Sequence, residues 1–390
     1  MLYELFWPSH GGIENWLYFV GKELAGRGHV VDLITCGLAG SPKEEPLATR
    51  FRVLRIDPWG VMQKRYVSGH VNIARQIFWI PISAMWLWRN AAAYDVVHAH
   101  LQASLTGAAL SVGSQRLFWS WHGTYRKQLY GMYSWWRAVF YDLAERIAVR
   151  IPCAACITAD AYTAKLARNE LRGIRTRMIP VPNGVDTTLF CPAPVEKPAE
   201  WGSGFHLLVP RRLVYKNGVQ FLLRAVPEIV AQRPDFKVVV YGDGPMRPEL
   251  CRFVDEHGLE ANVRFFEPVP SAVLARLYNA ADAVAVPSLI EATSLSVLEA
   301  MACAKPLLTC PVGGVPEVAP SDCVIYAEPG DVDSLKRALR RMLFEMTPDD
   351  LKRMGKRASA HVSRNFTWKH TASHLEKIYQ QVLNGNRSGR

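Results

Sequence analysis

At 390 residues the chain exceeds the size one hydrophobic core usually supports, so two domains are expected. With 49% hydrophobic and 21% charged residues it reads as globular, which excludes a disordered chain. Eight scattered cysteines exclude a disulfide framework and fit a reducing cytosol, while a net charge of +11 makes nucleic acid and an anionic membrane surface the partner classes to weigh.

The opening MLYELFWPSHGG has no basic region ahead of a long apolar run, so no secretory leader is expected. MLYELF is short for a first strand unless the recorded start is internal. Gly11 and Gly12 then lead into a helical stretch, IENWLYFVGKELAGRG, closed by Gly28. VVDLITC (30–36) and FRVLRID (51–57) are rich in β-branched residues and predict strands. The apolar run ending at Trp88, between Arg75 and Arg89, has about a dozen residues where a bilayer span needs about 20. It reads equally as a buried helix or as an interfacial face shared with Trp135 and Trp136. DVVHAH (95–100) and RLFWSWHG (116–123) are short continuous apolar runs, the mark of buried parallel strands. Helices at 103–113 and about 131–150 separate and follow them. AACITAD (154–160) and TRMIPVPNGV (176–185) complete this half, with Cys153 and Cys156 read as part of a buried strand and not as a redox pair.

A stretch containing Pro and Glu, CPAPVEKPAEWGSG (191–204), predicts a linker. The second half starts at 205–213, and strands at 236–241, 262–266, 282–286, 306–310 and 323–326 alternate with helices at 218–232, 246–257, 271–280, 295–303 and 331–345. That β-α-β order implies parallel sheets with helices on both faces. A terminal helix, FTWKHTASHLEKIYQQVL, covers 366–383. The expected division is therefore 1–190, the linker 191–204, 205–365, and a closing helix over 366–384. The basic excess lies in residues 51–177, and ten of the twelve tryptophans precede residue 140. Basic charge with interfacial aromatics points the first half toward an anionic membrane.

The densest chemical signal is PSLIEATSLSVLEAMACAKPLLTCPVGGVPEV (287–318). Glu291 and Glu299 stand eight residues apart around the start of a short apolar helix, followed by a strand and the turn Gly313-Gly314. Free N–H groups at a helix start bind phosphate, and carboxylates accept hydrogen bonds from sugar hydroxyls. A ligand with hydroxyls at both ends and an anionic middle suits this layout, as in a nucleoside diphosphate sugar. For the glutamates alone, the plain alternative is a surface amphipathic helix. Arg211, Arg212 and Lys216 follow the first strand of the second half, in VPRRLVYKNG, where α/β sheets bind ligands; a solvated basic turn is the plain reading. Gly242 and Gly244, in YGDGP, sit at another strand end. In the first half, Gly11-Gly12 is a phosphate-approach turn or an ordinary one. His122 ends a buried strand, a position more often structural than functional. His98 and His100 share a strand face, with no third metal ligand in view. Asn183-Gly184 reads as a turn.

In this order the motifs resemble the family-4 retaining glycosyltransferases, most strongly at 176–190 and 205–320 and least at 40–95. The fold implied is α/β GT-B: two Rossmann-like, doubly wound parallel-sheet domains with a cleft between them, the first on the acceptor side, the second binding the nucleotide sugar, and the last helix crossing back onto the first. The resemblance implies that Glu291 contacts the donor sugar, Glu299 the ribose, and Arg212, Lys216, Gly11 and Gly12 the diphosphate. Ser294 and Leu295 at the helix start would complete donor binding, Gly242 and Gly244 would shape the nucleotide side, and His122 would orient the sugar or support its oxocarbenium-like transition state. Two departures matter. Ala292, Thr293 and Ser294 replace the family's Gly-aromatic-Gly, which leaves sugar preference open, and Asn217 holds the usual lysine position, with Lys216 just before it.

The expectation is thus a metal-independent, retaining hexosyltransferase with no cofactor beyond its nucleoside diphosphate sugar co-substrate. Its acceptor is open, a membrane lipid or a glycan. It would be cytoplasmic, in peripheral contact with an anionic inner-membrane surface, without a nucleic-acid partner. The alternatives are a nucleotide-sugar epimerase of the same fold, a basic nucleic-acid-binding protein, and a non-catalytic partner of an active transferase.

Overall fold

A computed structural model describes residues 1–7, 11–37, 40–57, 73–122, 135–170 and 173–388, with side chains described up to 385. The chain divides into two compact units: Met1–Pro182 with Trp368–Arg390, and Asn183–Thr367.

In the first unit the strands are β1 (Val31–Cys36), β2 (Glu44–Ala48), β3 (Phe51–Ile56), β4 (Val97–His100), β5 (Leu117–Trp121), β6 (Ala155–Thr158) and β7 (Met178–Pro180). They form two runs, β1-β3-β2 and β4-β5-β6-β7, parallel except for β2. The opening residues join the runs. Leu2 bridges in parallel to Ile34 of β1 and to Ala99 of β4, through bonds from Leu2 N to the His98 carbonyl (2.8 Å) and from His100 N to the Leu2 carbonyl (2.9 Å). The short MLYELF strand therefore occupies a central sheet position with little pairing of its own. β2 was not expected. None of its residues is buried, a pattern suited to an edge, where Arg55 of β3 binds Glu45 at 2.6 Å.

The apolar run near 77–89 becomes the helix Ile73–Asn90, which buries Trp79, Ile82 and Leu87 and packs closely on Leu101–Ala109. Gly107 permits that approach, since a Cβ there would collide with Ser83. The run thus packs one face into the core, while Ile77 and Trp88 stay exposed. The helix Trp135–Ala148 differs: Trp135, Trp136, Leu143 and Ile147 are all exposed. The last helix, Trp368–Ser388, belongs to this unit. Trp368 stacks on Phe19 and Glu376 pairs with Arg27. No described helix is long and apolar enough to cross a membrane.

The second unit has six parallel strands in the order β10-β9-β8-β11-β12-β13: β8 (Phe205–Val209), β9 (Phe236–Tyr241), β10 (Val263–Phe266), β11 (Ala283–Val286), β12 (Leu307–Thr309) and β13 (Ile325–Tyr326). Helices cover both faces, burying two hydrophobic clusters, as continuous apolar strands require. Parallel order aligns the carboxyl ends of β8, β9, β11 and β12, so the loops carrying 210–218, 242–246, 287–294 and 310–314 gather at one sheet edge.

The boundary between units is earlier than expected. Val185, Phe190 and Trp201 are buried in the second unit's core, so 191–204 is not a free linker; Lys197 also reaches Asp282 at 2.6 Å. A helix at Pro348–Asn365 was also unexpected. Its start is a capping box in which Thr347 and Asp350 satisfy each other's backbone N–H groups.

Candidate functional site

The second unit's site is built on the start of the helix Leu295–Ala302. Ser294 takes the N-cap position with extended backbone, but its hydroxyl caps no helix N–H and has no protein partner although buried. The first-turn N–H groups thus lack a side-chain cap and remain available to an anion. Leu295 is half-buried beside them. Glu291, half-buried, precedes the N-cap by three residues. The turn at Gly313 lies against the Glu291 carbonyl, at φ 56°, where any Cβ would collide. That contact explains Gly313, the first of the two glycines after β12.

The cations divide in a way adjacency in sequence hides. Arg211 turns inward: its Nη2 donates to Asn217 Oδ1 (2.8 Å), Ser288 Oγ (2.7 Å) and the Glu291 carboxylate, and Ser288 Oγ donates to the same carboxylate at 3.0 Å. Arg212 is exposed. Asn217, standing where a lysine was expected, is buried and structural: it also donates to the Arg212 carbonyl at 2.8 Å. It fixes the loop that presents Arg212 and Lys216. Gly218 lets this loop meet the Pro287 carbonyl, and Leu289 N donates to the Lys216 carbonyl at 2.8 Å. Lys216 is half-buried, and burial lowers its ammonium pKa, with Glu291 opposing. Gly242 and Gly244 back onto the carbonyls of Arg211 and Leu213, so they shape this loop.

Glu299 lies one turn into the helix. Tyr278, buried, donates to Glu299 Oε2 at 2.9 Å. Burial pushes the Glu299 carboxyl up to about 7, against the pull of Tyr278 and Arg211. Asn183 donates to the Thr293 carbonyl at 2.9 Å, the structural role expected of the Asn-Gly turn. Arg211, Ser288 and Tyr278 were not assigned from sequence. The doubled arginine was visible, but not which member faces in; Tyr278 gave no signal.

In the first unit, Gly11 caps the helix Gly12–Gly26 with extended backbone, and buried Glu14 folds its carboxylate against it. His98, His100 and His122 share one face of β4 and β5. His98 meets Tyr379 Oη (2.5 Å) and Ser120 Oγ (2.8 Å). His100 Nδ1 lies 3.0 Å from His122 Nε2, and Trp16 packs over all three rings. Burial lowers each histidine, His122 to about 4, so the rings are neutral at ordinary pH. No group of three or more metal-ligating side chains gathers among the described residues. Cys153 and Cys156 are free thiols, both raised by burial.

Residues 197–361 match the family profile of Glycosyl transferases group 1, and residues 10–189 that of Glycosyltransferase Family 4. The chain is 28% identical to a phosphatidylinositol N-acetylglucosaminyltransferase subunit of Arabidopsis thaliana, over all of this chain and 83% of that one. It is 29% identical to the D-inositol 3-phosphate glycosyltransferase of Nocardia farcinica, over 84% and 71% respectively. Among solved structures, sucrose-phosphate synthase from Thermosynechococcus elongatus is similar at a TM-score of 0.81 and 21% identity, covering 96% of this chain and 94% of that one. The catalytic domain of Arabidopsis thaliana starch synthase IV follows at 0.76 and 15%, with 98% of both chains covered. Two Rossmann-like units define the GT-B fold, and the two matched profiles make the chain a glycosyltransferase. The chain belongs to the family-4 glycosyltransferases. Family membership decides for glycosyl transfer over epimerisation and nucleic-acid binding.

Proposed function

We propose that this enzyme transfers a hexosyl group from a nucleoside diphosphate sugar to an inositol-bearing phospholipid, with retention at the anomeric carbon. The observation that carries the donor half is the uncapped helix start at Ser294–Leu295 between Glu291 and Glu299, with Lys216 in the adjoining loop. Helix N–H groups and the cations Arg212 and Lys216 stabilise the charge that develops on the departing nucleoside diphosphate. Glu291 accepts from the sugar and Glu299 from the ribose. This charge handling needs no metal ion. His122, neutral in its buried setting, orients the transferred sugar by hydrogen bonding.

The acceptor half draws on the relatives: several similar proteins carry inositol in their names, as phosphatidylinositol or as inositol phosphate. The helix Trp135–Ala148 supports a lipid-borne acceptor, because it sets exposed Trp135, Trp136, Leu143 and Ile147 beside Arg137 and Arg146. Such a face suits peripheral contact with anionic lipid. The test is incubation of UDP-N-acetylglucosamine, UDP-glucose or GDP-mannose with vesicles containing phosphatidylinositol. The expected product is a new glycolipid keeping the donor's anomeric configuration by NMR. Turnover confined to lipid-free glycans overturns the acceptor; an inverted product overturns retention.

A further inference from the structure

His98 and His100 alternate along β4, and Phe118, Ser120 and His122 follow the same alternation along β5 and just past its end, so all five side chains share one sheet face. On that face His100 is completely buried. Its ring is within 21° of the plane of His122, and the 3.0 Å between His100 Nδ1 and His122 Nε2 is a hydrogen bond that a single proton must occupy. The other ring nitrogen of His100, Nε2, is closed off from solvent and has no protein partner.

Two tautomer pairs satisfy the bond. If His122 donates from Nε2, His100 must carry its proton on Nε2, leaving a sealed N–H without an acceptor. If His100 donates from Nδ1, its Nε2 is a bare ring nitrogen, and His122 carries its proton on Nδ1. Orphaned buried N–H groups are rarer in proteins than under-satisfied acceptors, which favours the second pair. Burial keeps both rings neutral, so a doubly protonated arrangement does not compete.

We infer that His100 is a positioning residue, donating from Nδ1 to His122 Nε2 and thereby holding His122 as its Nδ1–H tautomer. His122 is then a neutral hydrogen-bond donor. It recognises an oxygen lone pair, as of a sugar hydroxyl, and acts neither as a general base nor as a cation. This rests on the reading of His122 as the group that orients the transferred sugar.

The full-length protein, labelled with 15N-histidine, tests the tautomer directly through ring 1H–15N correlation spectra, with His122 identified by comparison with His122→Gln. The expected wild-type spectrum shows His122 protonated at Nδ1 and bare at Nε2. His100→Leu is expected to mix the two tautomers and to lower kcat about tenfold with little change in donor KM. In His100→Asn the side-chain amide can donate from nearly the place of Nδ1, and both tautomer and rate should largely return. A wild-type His122 protonated at Nε2 overturns the inference whatever the kinetics, and so does an unchanged tautomer in a folded His100→Leu. If His100→Leu does not fold, the wild-type spectrum still decides. Full activity in His122→Ala instead overturns the functional reading, and with it the catalytic consequence given to His100.

Discussion

The two units handle charge differently. In the second, Arg211, Ser288, Asn217 and Glu291 form a polar network supplied by two loops, above a core of aliphatic residues with Phe190, Trp201, Phe236 and Tyr278 among them. In the first, the sheet face carries stacked, neutral histidines under Trp16 and Tyr379, and the helix Trp135–Ala148 turns apolar side chains outward. On the proposed function, a pyrophosphate presents the same charge whatever sugar it carries, so a prearranged ionic site would serve any donor. On the same proposal an acceptor differs from enzyme to enzyme, and the first unit, with Trp135 and Trp136 exposed, is where such differences would be built.

Four measurements test that contrast. The largest effect is expected from Arg212→Ala and Lys216→Ala, each lowering kcat by roughly 10²- to 10³-fold, as loss of a charge-stabilising donor does, with the melting temperature nearly unchanged. Steady-state kinetics checks this, and wild-type rates would place the ionic machinery elsewhere. Glu299→Gln should weaken donor binding about 10- to 100-fold by calorimetry, the scale of a hydrogen bond to a charged group. In the wild type, donor affinity should rise with pH through about 7, as the Glu299 carboxyl ionises, and the Gln variant should be flat. The stability effect has the opposite sign. With the folded pKa raised from 4.5 to about 7, the contribution is fully present below the unfolded value and is lost as pH rises through the folded one.

A smaller change is expected on the first unit's surface. Replacing Trp136, Leu143 and Ile147 together by Ser should cut flotation with anionic vesicles about tenfold while leaving donor affinity intact; unchanged flotation removes the membrane face. Smallest of all, Tyr379→Phe should cost about 1 kcal/mol in urea unfolding, the worth of one hydrogen bond, through loss of the contact with His98.

Much of the second unit was legible because its signals are local. Short apolar strands, Gly-Gly after β12 and two glutamates around one helix start each declare themselves within a few residues. The inward turn of Arg211 was not legible. Arg211 and Arg212 have the same chemistry, and the choice depends on where Asn217, Ser288 and Glu291 arrive in space. Tyr278 is likewise 21 residues from Glu299 and meets it only through the fold. In the first unit, the edge strand Glu44–Ala48 and the helix Ala161–Glu170 were missed, the former because it has no continuous apolar run. The HxH at 98–100 suggested shared orientation correctly, but its partners His122 and Tyr379 come from just past β5 and from the last helix. The boundary was placed late because the Pro-rich composition of 191–204 hid the anchors Phe190 and Trp201.

The return of Trp368–Ser388 to the first unit has a consequence for synthesis on the ribosome. Domains that are continuous in sequence fold in order as they emerge, but here the earlier one lacks a wall until residues 368–388, which follow the whole second unit, have been translated. Trp368, Ala372, Leu375 and Ile378 are all buried in it, so a nascent chain halted before them displays a bare apolar groove. The later unit, by contrast, can fold while its predecessor waits, and the waiting half is the natural client of a holdase.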